Sequence, residues 1–417
     1  MNRRLLVIAY HFPPVRGSSG IQRTLKFVTY LREQGWEPSV LTVSPRAYEQ
    51  IGEDQMGEIP AGMTVRRAFA LNSSRHLAIR GRFLNWTAQP DRWASWWPAG
   101  VWQGLQMIRK ERPAAIFSTY PIATAHLIGL TLARLSGLPW IADCRDSMTE
   151  PGYPRDALTW RTNRWLESKM VERCASCVFT TEGTRAMYAE RYPHVPASRW
   201  AVIENGFDEE NFRDAEQGLA IPALASQRRI TLLHSGVLYP QERDPRPFFE
   251  ALRQLKGSGK ISASNLRVLL RATGSDPHYR TQLAEYGIDD IVELAAPIAY
   301  RAALQEMLVV DGLLLFQAAM CNHQIPAKLY EYQRAGRPVL TLTDPRGNTA
   351  DAMRAAGSSQ IVDILDSADI ARGIVQFIDG IRDATITGTP ADVAQRNSRR
   401  ARSGELARLL DGVAAAA

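Results

Sequence analysis

Two kinds of apolar spacing alternate along the whole chain. Short, largely apolar runs at 5–9, 39–43, 114–118, 139–142, 177–181 and 200–204 have the length and residue types of buried strands, and 63–69 reads as a further strand. Between them lie segments with helical spacing. In 21–34, Leu25, Val28 and Leu31 fall on one face and Gly35 ends the segment. A helix ending at Leu135 and helices over 157–173 and 184–192 follow. The segment 209–229 has poor periodicity and reads as an interdomain linker. A second alternation then begins, with strands at 230–234, 266–272, 291–294, 312–316 and 338–342 and helices at 248–256, 276–286, 300–308, 349–356 and 370–379. A polar, alanine-rich helix over 391–413 closes the chain. Strand–helix alternation of this kind predicts an α/β protein with two successive parallel-sheet domains.

The stretch 325–341 condenses a loop, a helix and a strand. Pro326 suits a first helical turn, Gly336 suits the left-handed position that ends one, and Leu329, Tyr330 and Tyr332 face a core. Lys328 and Glu331 are three apart at the helix start. A cation beside a helix N-terminus is an anion site, and a carboxylate there accepts bonds from sugar hydroxyls. The same two residues also read as a solvated surface pair. Gly17 and Gly20, in the loop between the first strand and helix, let a backbone approach a ligand closely, although the spacing is not that of a dinucleotide fingerprint. Asp143-Cys144-Arg145-Asp146 stands at the carboxyl end of a buried strand, where open α/β sheets bind ligands; an Asp–Arg pair locking the loop is the alternative. The 73–100 segment sets Arg75, Arg80, Arg82 and Arg92 among Phe83, Trp86, Trp93, Trp96 and Trp97. It reads as a long irregular loop, either an acceptor groove or membrane-interface surface, or else a local core. His126 is a lone helical histidine, a residue more often structural than chemical.

Composition narrows the partners. The 417 residues are 45% hydrophobic and 22% charged, as in soluble globular proteins, and a net charge of +7 favours anionic partners. No aromatic-basic RNA signature or zinc-finger spacing accompanies that charge, so no nucleic-acid partner is expected. The four cysteines include one C-x-x-C, Cys174 and Cys177, without a second pair; buried thiols in a reducing compartment are expected and no metal site. No apolar run reaches the ~18 residues of a membrane span.

Four stretches in order, HFPPVRGSSGIQR, VIENGFDEENF, HSGVLYPQERDP and IPAKLYEYQRAGRPVL, resemble those of GT-B glycosyltransferases, most closely family four. The resemblance implies two Rossmann-like domains facing a central cleft. These are an acceptor domain at 1–208, a linker at 209–229 and a nucleotide-sugar domain at 230–390, with a helix at 391–417 returning to the first domain. It implies retaining transfer from a nucleotide sugar to a saccharide or lipid-linked acceptor in surface polysaccharide or glycoconjugate assembly. No cofactor or metal is expected. The expected place of work is the cytoplasm, in peripheral contact with an acidic membrane surface on the cytoplasmic face of the inner membrane. The donor-binding set it implies is Gly17, Ser18, Ser19, Gly20, Gly236, His323, Pro326 and Glu331, with Glu331 on the ribose. Arg243 and Lys328 stabilise the diphosphate. Asp143 and Asp146 orient the acceptor hydroxyl, and Arg145, Trp93, Trp96, Trp97 and His126 contact the acceptor. Two positions depart from the family pattern. Val237 stands where the family has an arginine, with Lys328 as the replacement cation, and His323 stands where it has a glutamate. These departures leave a non-catalytic partner subunit, or an epimerase of the same fold, as alternatives.

Overall fold

The computed structural model describes residues 2–416 except 17–19, 54, 225–228, 241–242 and 359. It divides into two compact units, Met1–Asn205 with Arg399–Ala417, and Gly206–Ser398. The first contains seven strands: β1 (Arg4–Ile8), β2 (Glu37–Val43), β3 (Val65–Ala68), β4 (Ala115–Thr119), β5 (Trp140–Cys144), β6 (Ser176–Phe179) and β7 (Trp200–Val202). They pair in parallel in the order β3-β2-β1-β4-β5-β6-β7. Every residue of β4 and β5 is buried, as a sheet covered on both faces requires. One face packs beneath helices Trp96–Glu111, Ala123–Ser136 and Ala157–Arg173. On the other, Leu25, Val28 and Leu31 of helix Gly20–Glu33 join Leu406 and Leu410 of helix Arg399–Ala415. Asp411 ties that last helix down, accepting from Arg3 and from the Trp36 indole at 3.1 Å each.

The second unit repeats the plan with β8 (Ile230–Ser235), β9 (Leu266–Arg271), β10 (Val292–Ala295), β11 (Gly312–Phe316), β12 (Val339–Thr343) and β13 (Ile361–Asp363), all parallel, in the order β10-β9-β8-β11-β12-β13. In each sheet the order reverses beside the first strand, which places the ligand-binding crevice of such folds at the carboxyl ends of β1 and β4, and of β8 and β11.

Three sequence expectations are corrected. The 209–229 segment begins as a helix, Glu209–Glu216, that belongs to the second unit. Asp208 caps it, and Arg334 grips Glu209 (2.7 and 2.8 Å) and Glu216 (2.9 Å). Only Phe212 and Ala215 are buried, too few to show a helical period. The closing helix is broken. Ala391–Gln395 stays with the second unit, where Asn397 bonds Gln333 at 3.1 Å, and Arg399–Ala415 belongs to the first. The end of the supposed irregular loop at 73–100 is the start of the helix Trp96–Glu111.

Candidate functional site

In the second unit, polar groups gather where β8 meets the helix Lys328–Ala335. β8 ends at Ser235, whose backbone N–H donates to the Tyr332 hydroxyl at 2.9 Å, so the helix is pinned to the strand end. Gly236 follows at φ +119°, a conformation open in practice to glycine. A Cβ there would also stand 2.8 Å from the Lys328 ammonium. The side chain of Lys328 therefore lies across the bare backbone of Gly236, with Nζ 3.2 Å from His234 Nε2. His234 Nδ1 donates to the Leu314 carbonyl at 2.9 Å, which leaves Nε2 as the acceptor. Burial, followed by the charge of Lys328, holds the imidazole well below its usual pKa and hence neutral. Burial, followed by the charge of Arg243, pushes Lys328 down to about 7. Arg243 folds back over the same loop, its guanidinium 3.4 Å from the Val237 carbonyl and 5.6 Å from the centre of the Tyr239 ring. Lys328, Arg243 and a helix N-terminus thus share the loop that begins at Gly236. In such a place a bound anion relieves their repulsion.

One turn further, Glu331 accepts a 2.7 Å bond from the Tyr300 hydroxyl, which fixes its carboxylate. Pro326 is buried just ahead of the helix, its carbonyl accepting from Leu329 N at 2.9 Å. Gly336 closes the helix at φ +67°. His323 is half-buried in the loop before it, beside Asn322, whose amide reaches Asp344 at 2.6 Å.

The first unit builds a second polar cluster at the carboxyl edge of β1, β4 and β5. Arg145 is the nearest group to the start of helix Gly20–Glu33, and its guanidinium occupies the space a Cβ on Gly20 would need. One of its nitrogens bonds the Tyr120 carbonyl at 3.3 Å, while Nε is buried without a partner. Burial lowers the pKa of Arg145, opposed by Asp146 and Asp143. His11 is pushed down to about 3 by burial and then by Arg145, so it is neutral. A guanidinium over a helix N-terminus beside a neutral imidazole suits an anionic or polyhydroxylated ligand. Gly17, Ser18 and Ser19 lie outside the described residues.

Four assigned roles change. Asp143 is fully buried and bonded within the sheet edge, not offered to an acceptor hydroxyl. Arg23 holds it through two bonds of 2.7 and 3.1 Å, and the Thr119 hydroxyl donates at 2.7 Å. This locks the carboxyl edge of the sheet, since Arg23 also donates to the carbonyls of Ile203 and Glu204 at 2.9 Å each. His126 is a core residue bonded to the Ser118 hydroxyl at 2.7 Å and pushed down to about 4 by burial. Trp96 is fully buried, and Trp93 packs on Tyr10 and donates to the Ala47 carbonyl at 3.0 Å. Trp97 alone of the three is on the surface, its indole on Thr131 Oγ1 at 3.0 Å. Asp146 is half-exposed beside Arg145. Cys174 and Cys177 are buried thiols 3.2 Å apart. Among the described residues, no three His, Cys, Asp or Glu side chains are grouped to hold a metal ion. Sequence reasoning missed His234, Tyr300, Arg23 and His11. His234, His11 and Arg23 stood inside quoted motifs without a role, and Arg23, like Tyr300, meets its partner only through the fold.

Two parallel Rossmann-like sheets, each presenting a cationic cluster at its carboxyl edge beside a helix start, are the two-domain plan of the GT-B fold, which the similar solved structures share. Residues 19–206 match the family described as Glycosyl transferase 4-like domain. No curated protein sequence matches the chain significantly. Among solved structures, the sucrose-phosphate synthase of Thermosynechococcus elongatus is similar at TM-score 0.66 and 14% identity, covering 100% of both chains. Anabaena HepE in complex with UDP is similar at 0.66 and 14%, covering 98% of this chain and 100% of its own. WaaG, a glycosyltransferase involved in lipopolysaccharide biosynthesis, is similar at 0.62 and 13%, covering 98% and 100%. At these identities the likeness is one of fold.

Proposed function

We propose that the protein transfers a sugar, with retention, from a nucleoside-diphosphate sugar to a saccharide or lipid-linked acceptor in surface polysaccharide or glycoconjugate assembly on the cytoplasmic side. The observation that carries this reading is the placement of Lys328 over Gly236 and of Arg243 at the Val237 carbonyl beside it, with Glu331 held by Tyr300 one turn away. That set offers two cations and a helix N-terminus to a diphosphate and a fixed carboxylate to ribose hydroxyls. Lys328 supplies the charge that an arginine at position 237 would otherwise bring, which speaks against a non-catalytic subunit. The solved complex of HepE with UDP makes a uracil nucleotide the first to test.

The chemistry needs no side-chain nucleophile. The bond from the anomeric carbon to the diphosphate oxygen breaks as the acceptor oxygen bonds to the same face of that carbon, and the acceptor proton passes to the departing phosphate oxygen. Charge grows on the diphosphate as the bond breaks, where pre-set cations stabilise the transition state more than the ground state. Asp146 and Arg145 of the first unit orient the acceptor. Incubation with UDP-sugars and saccharide acceptors, followed by proton NMR of the product, tests this. An α-linked product from an α-configured donor is expected; an inverted product contradicts retention, and no transfer or donor hydrolysis with any common nucleotide sugar contradicts the reading itself.

Tyr300→Phe removes the bond that aims Glu331. One hydrogen bond of this kind contributes about 0.5–1.5 kcal/mol, so the KM for the donor should rise roughly 2- to 10-fold with kcat nearly unchanged. Steady-state kinetics checks it; an unaltered KM removes Tyr300 and Glu331 from donor binding.

A further inference from the structure

At the amino edge of the second unit's sheet, opposite the edge that carries Gly236, the chain forms a cavity of about 190 Å³. Val339 opens β12 and Gln360 stands just before β13, so both strands begin at its wall. Val339 and Met353, both buried, give it an apolar floor. The lining also holds Arg337 and the hydroxyls of Ser358, Thr387 and Thr389, and it contains no acid. Arg337 is only 5% exposed. Its Nε and Nη2 donate to the carbonyls of Leu308 and Pro222 at 2.8 Å each. Its Nη1 has no partner among the described residues, and no carboxylate among them pairs with the guanidinium. Asp311, whose charge reaches it, accepts from the Thr231 N–H at 2.9 Å. A guanidinium withdrawn from water is ordinarily paired with an anion. This one lines a cavity instead.

The segment 385–390 adds donors of a second kind. Its backbone crosses the end of helix Lys328–Ala335 so closely that a Cβ on Gly388 would overlap the Gly336 carbonyl. The N–H groups of Thr387, Gly388 and Thr389 donate to nothing among the described residues, and neither do the hydroxyls of Ser358, Thr387 and Thr389. Successive free amides beside a guanidinium make a concavity for an anion.

We infer that this cavity binds a small organic phosphate and that its occupancy tightens nucleotide binding at the opposite edge of the sheet. The phosphate meets Arg337 and the 387–389 amides, and a short hydroxylated carbon chain meets the serine and threonine hydroxyls above the apolar floor. Pockets for drug-sized ligands run to roughly 300–1,000 Å³, so this one takes a phosphate and a few carbons rather than a nucleotide. The coupling follows from what Arg337 holds. It comes directly after Gly336, which ends the helix that starts at Lys328. Its Nε grips the last turn of helix Tyr300–Val309, whose Tyr300 aims Glu331. The cavity's cation is thus fixed to the far ends of both helices that carry the nucleotide set. An anion that neutralises and fixes Arg337 orders those ends, and each ligand then raises the other's affinity by the same factor. The coupling rests on the nucleotide reading above; the binding of the phosphate does not.

Calorimetric titration of the full chain with glycerol 3-phosphate, with inorganic phosphate and glycerol as comparisons, tests it. Glycerol 3-phosphate should bind saturably, inorganic phosphate more weakly and glycerol not at all. Arg337→Gln should lower the affinity at least about tenfold, since a charge-assisted contact is removed. It also strips two carbonyls of their donor, so its melting temperature should fall. The pair Ser358→Glu and Thr387→Glu avoids that, because neither residue is buried. Two acids in the cavity should weaken binding at least about tenfold by like-charge repulsion, with the melting temperature held. Lys328→Ala, which removes the cation at Gly236, should leave glycerol 3-phosphate binding unchanged. With glycerol 3-phosphate saturating, UDP should bind at least about fivefold more tightly. No binding of glycerol 3-phosphate, equal binding of glycerol or inorganic phosphate, binding unmoved by the acid pair, or binding lost in Lys328→Ala overturns the site. Binding at the cavity with UDP affinity unchanged or lowered overturns the coupling. Binding at the cavity in a chain that binds no UDP removes the nucleotide reading and leaves the cavity site standing.

Discussion

Lys328→Ala is expected to lower kcat/KM for sugar transfer by about 10²- to 10³-fold, the usual loss when one pre-set group facing a developing anionic charge is removed. Most of the loss should be in kcat, because the diphosphate carries more charge in the transition state than in the bound donor. The geometry explains why this residue dominates. Its ammonium is held against Gly236 by a neutral His234, which can only accept from it, and it shares the loop with Arg243. It also predicts a pH profile. The ligand-free pKa of Lys328 is depressed from 10.5 to about 7 by burial and by Arg243. A bound diphosphate favours the charged form and raises that pKa. Below about pH 7 the amine is already protonated and affinity is flat; above it, binding must take up a proton, and affinity should fall by about tenfold per pH unit until the bound-state pKa is reached. In Lys328→Ala the slope above pH 7 should vanish. A variant with full activity, or one that keeps the slope, would place the essential cation elsewhere.

Asp143→Ala is expected to cost stability before it costs chemistry. Asp143 and Arg23 are both almost wholly buried, and removing one partner of such a pair leaves an uncompensated charge at about 3–5 kcal/mol. For a unit of this size, that corresponds to a fall of roughly 6–20 °C in melting temperature. Arg23→Met combined with Asp143→Leu should recover much of the loss, since the apolar pair leaves no buried charge. Thermal melts followed by circular dichroism check both. If Asp143→Ala melts like the parent but no longer transfers sugar, Asp143 is chemical after all and the lock reading is wrong.

These cases show what kind of information the chain displays locally. The strands were legible because a parallel sheet buries both faces and so demands unbroken apolar runs: β4, β5, β11 and β12 have no exposed residue. The 328–335 helix was legible through Gly336 and the spacing of Leu329, Tyr330 and Tyr332, all buried. Helix Trp96–Glu111 was not. Its Trp-Trp-Pro start and the glycines at 100 and 104 argue against a helix, yet those glycines are what let it lie on its neighbour: a Cβ would come within 2.6 Å of Ile128 and 2.5 Å of Leu132. Packing there outweighs propensity. With that helix in place, Trp96 becomes core rather than acceptor contact. At the site, Lys328 and Glu331 were readable because both stand in the first turn of one helix. Arg23 lies 120 residues from Asp143, and Tyr300 lies 31 from Glu331. Such partners emerge only when strand order brings distant loops to one edge.

The central claim is that a nucleoside diphosphate is held at Gly236 by Lys328. Calorimetric titration of the full chain with UDP at pH 8, repeated in buffers of different ionisation enthalpy, tests it most directly. The account predicts saturable binding with net proton uptake approaching one per UDP, and affinity at least about tenfold weaker without proton uptake in Lys328→Ala. UDP binding with the same affinity and the same proton uptake in Lys328→Ala would contradict it.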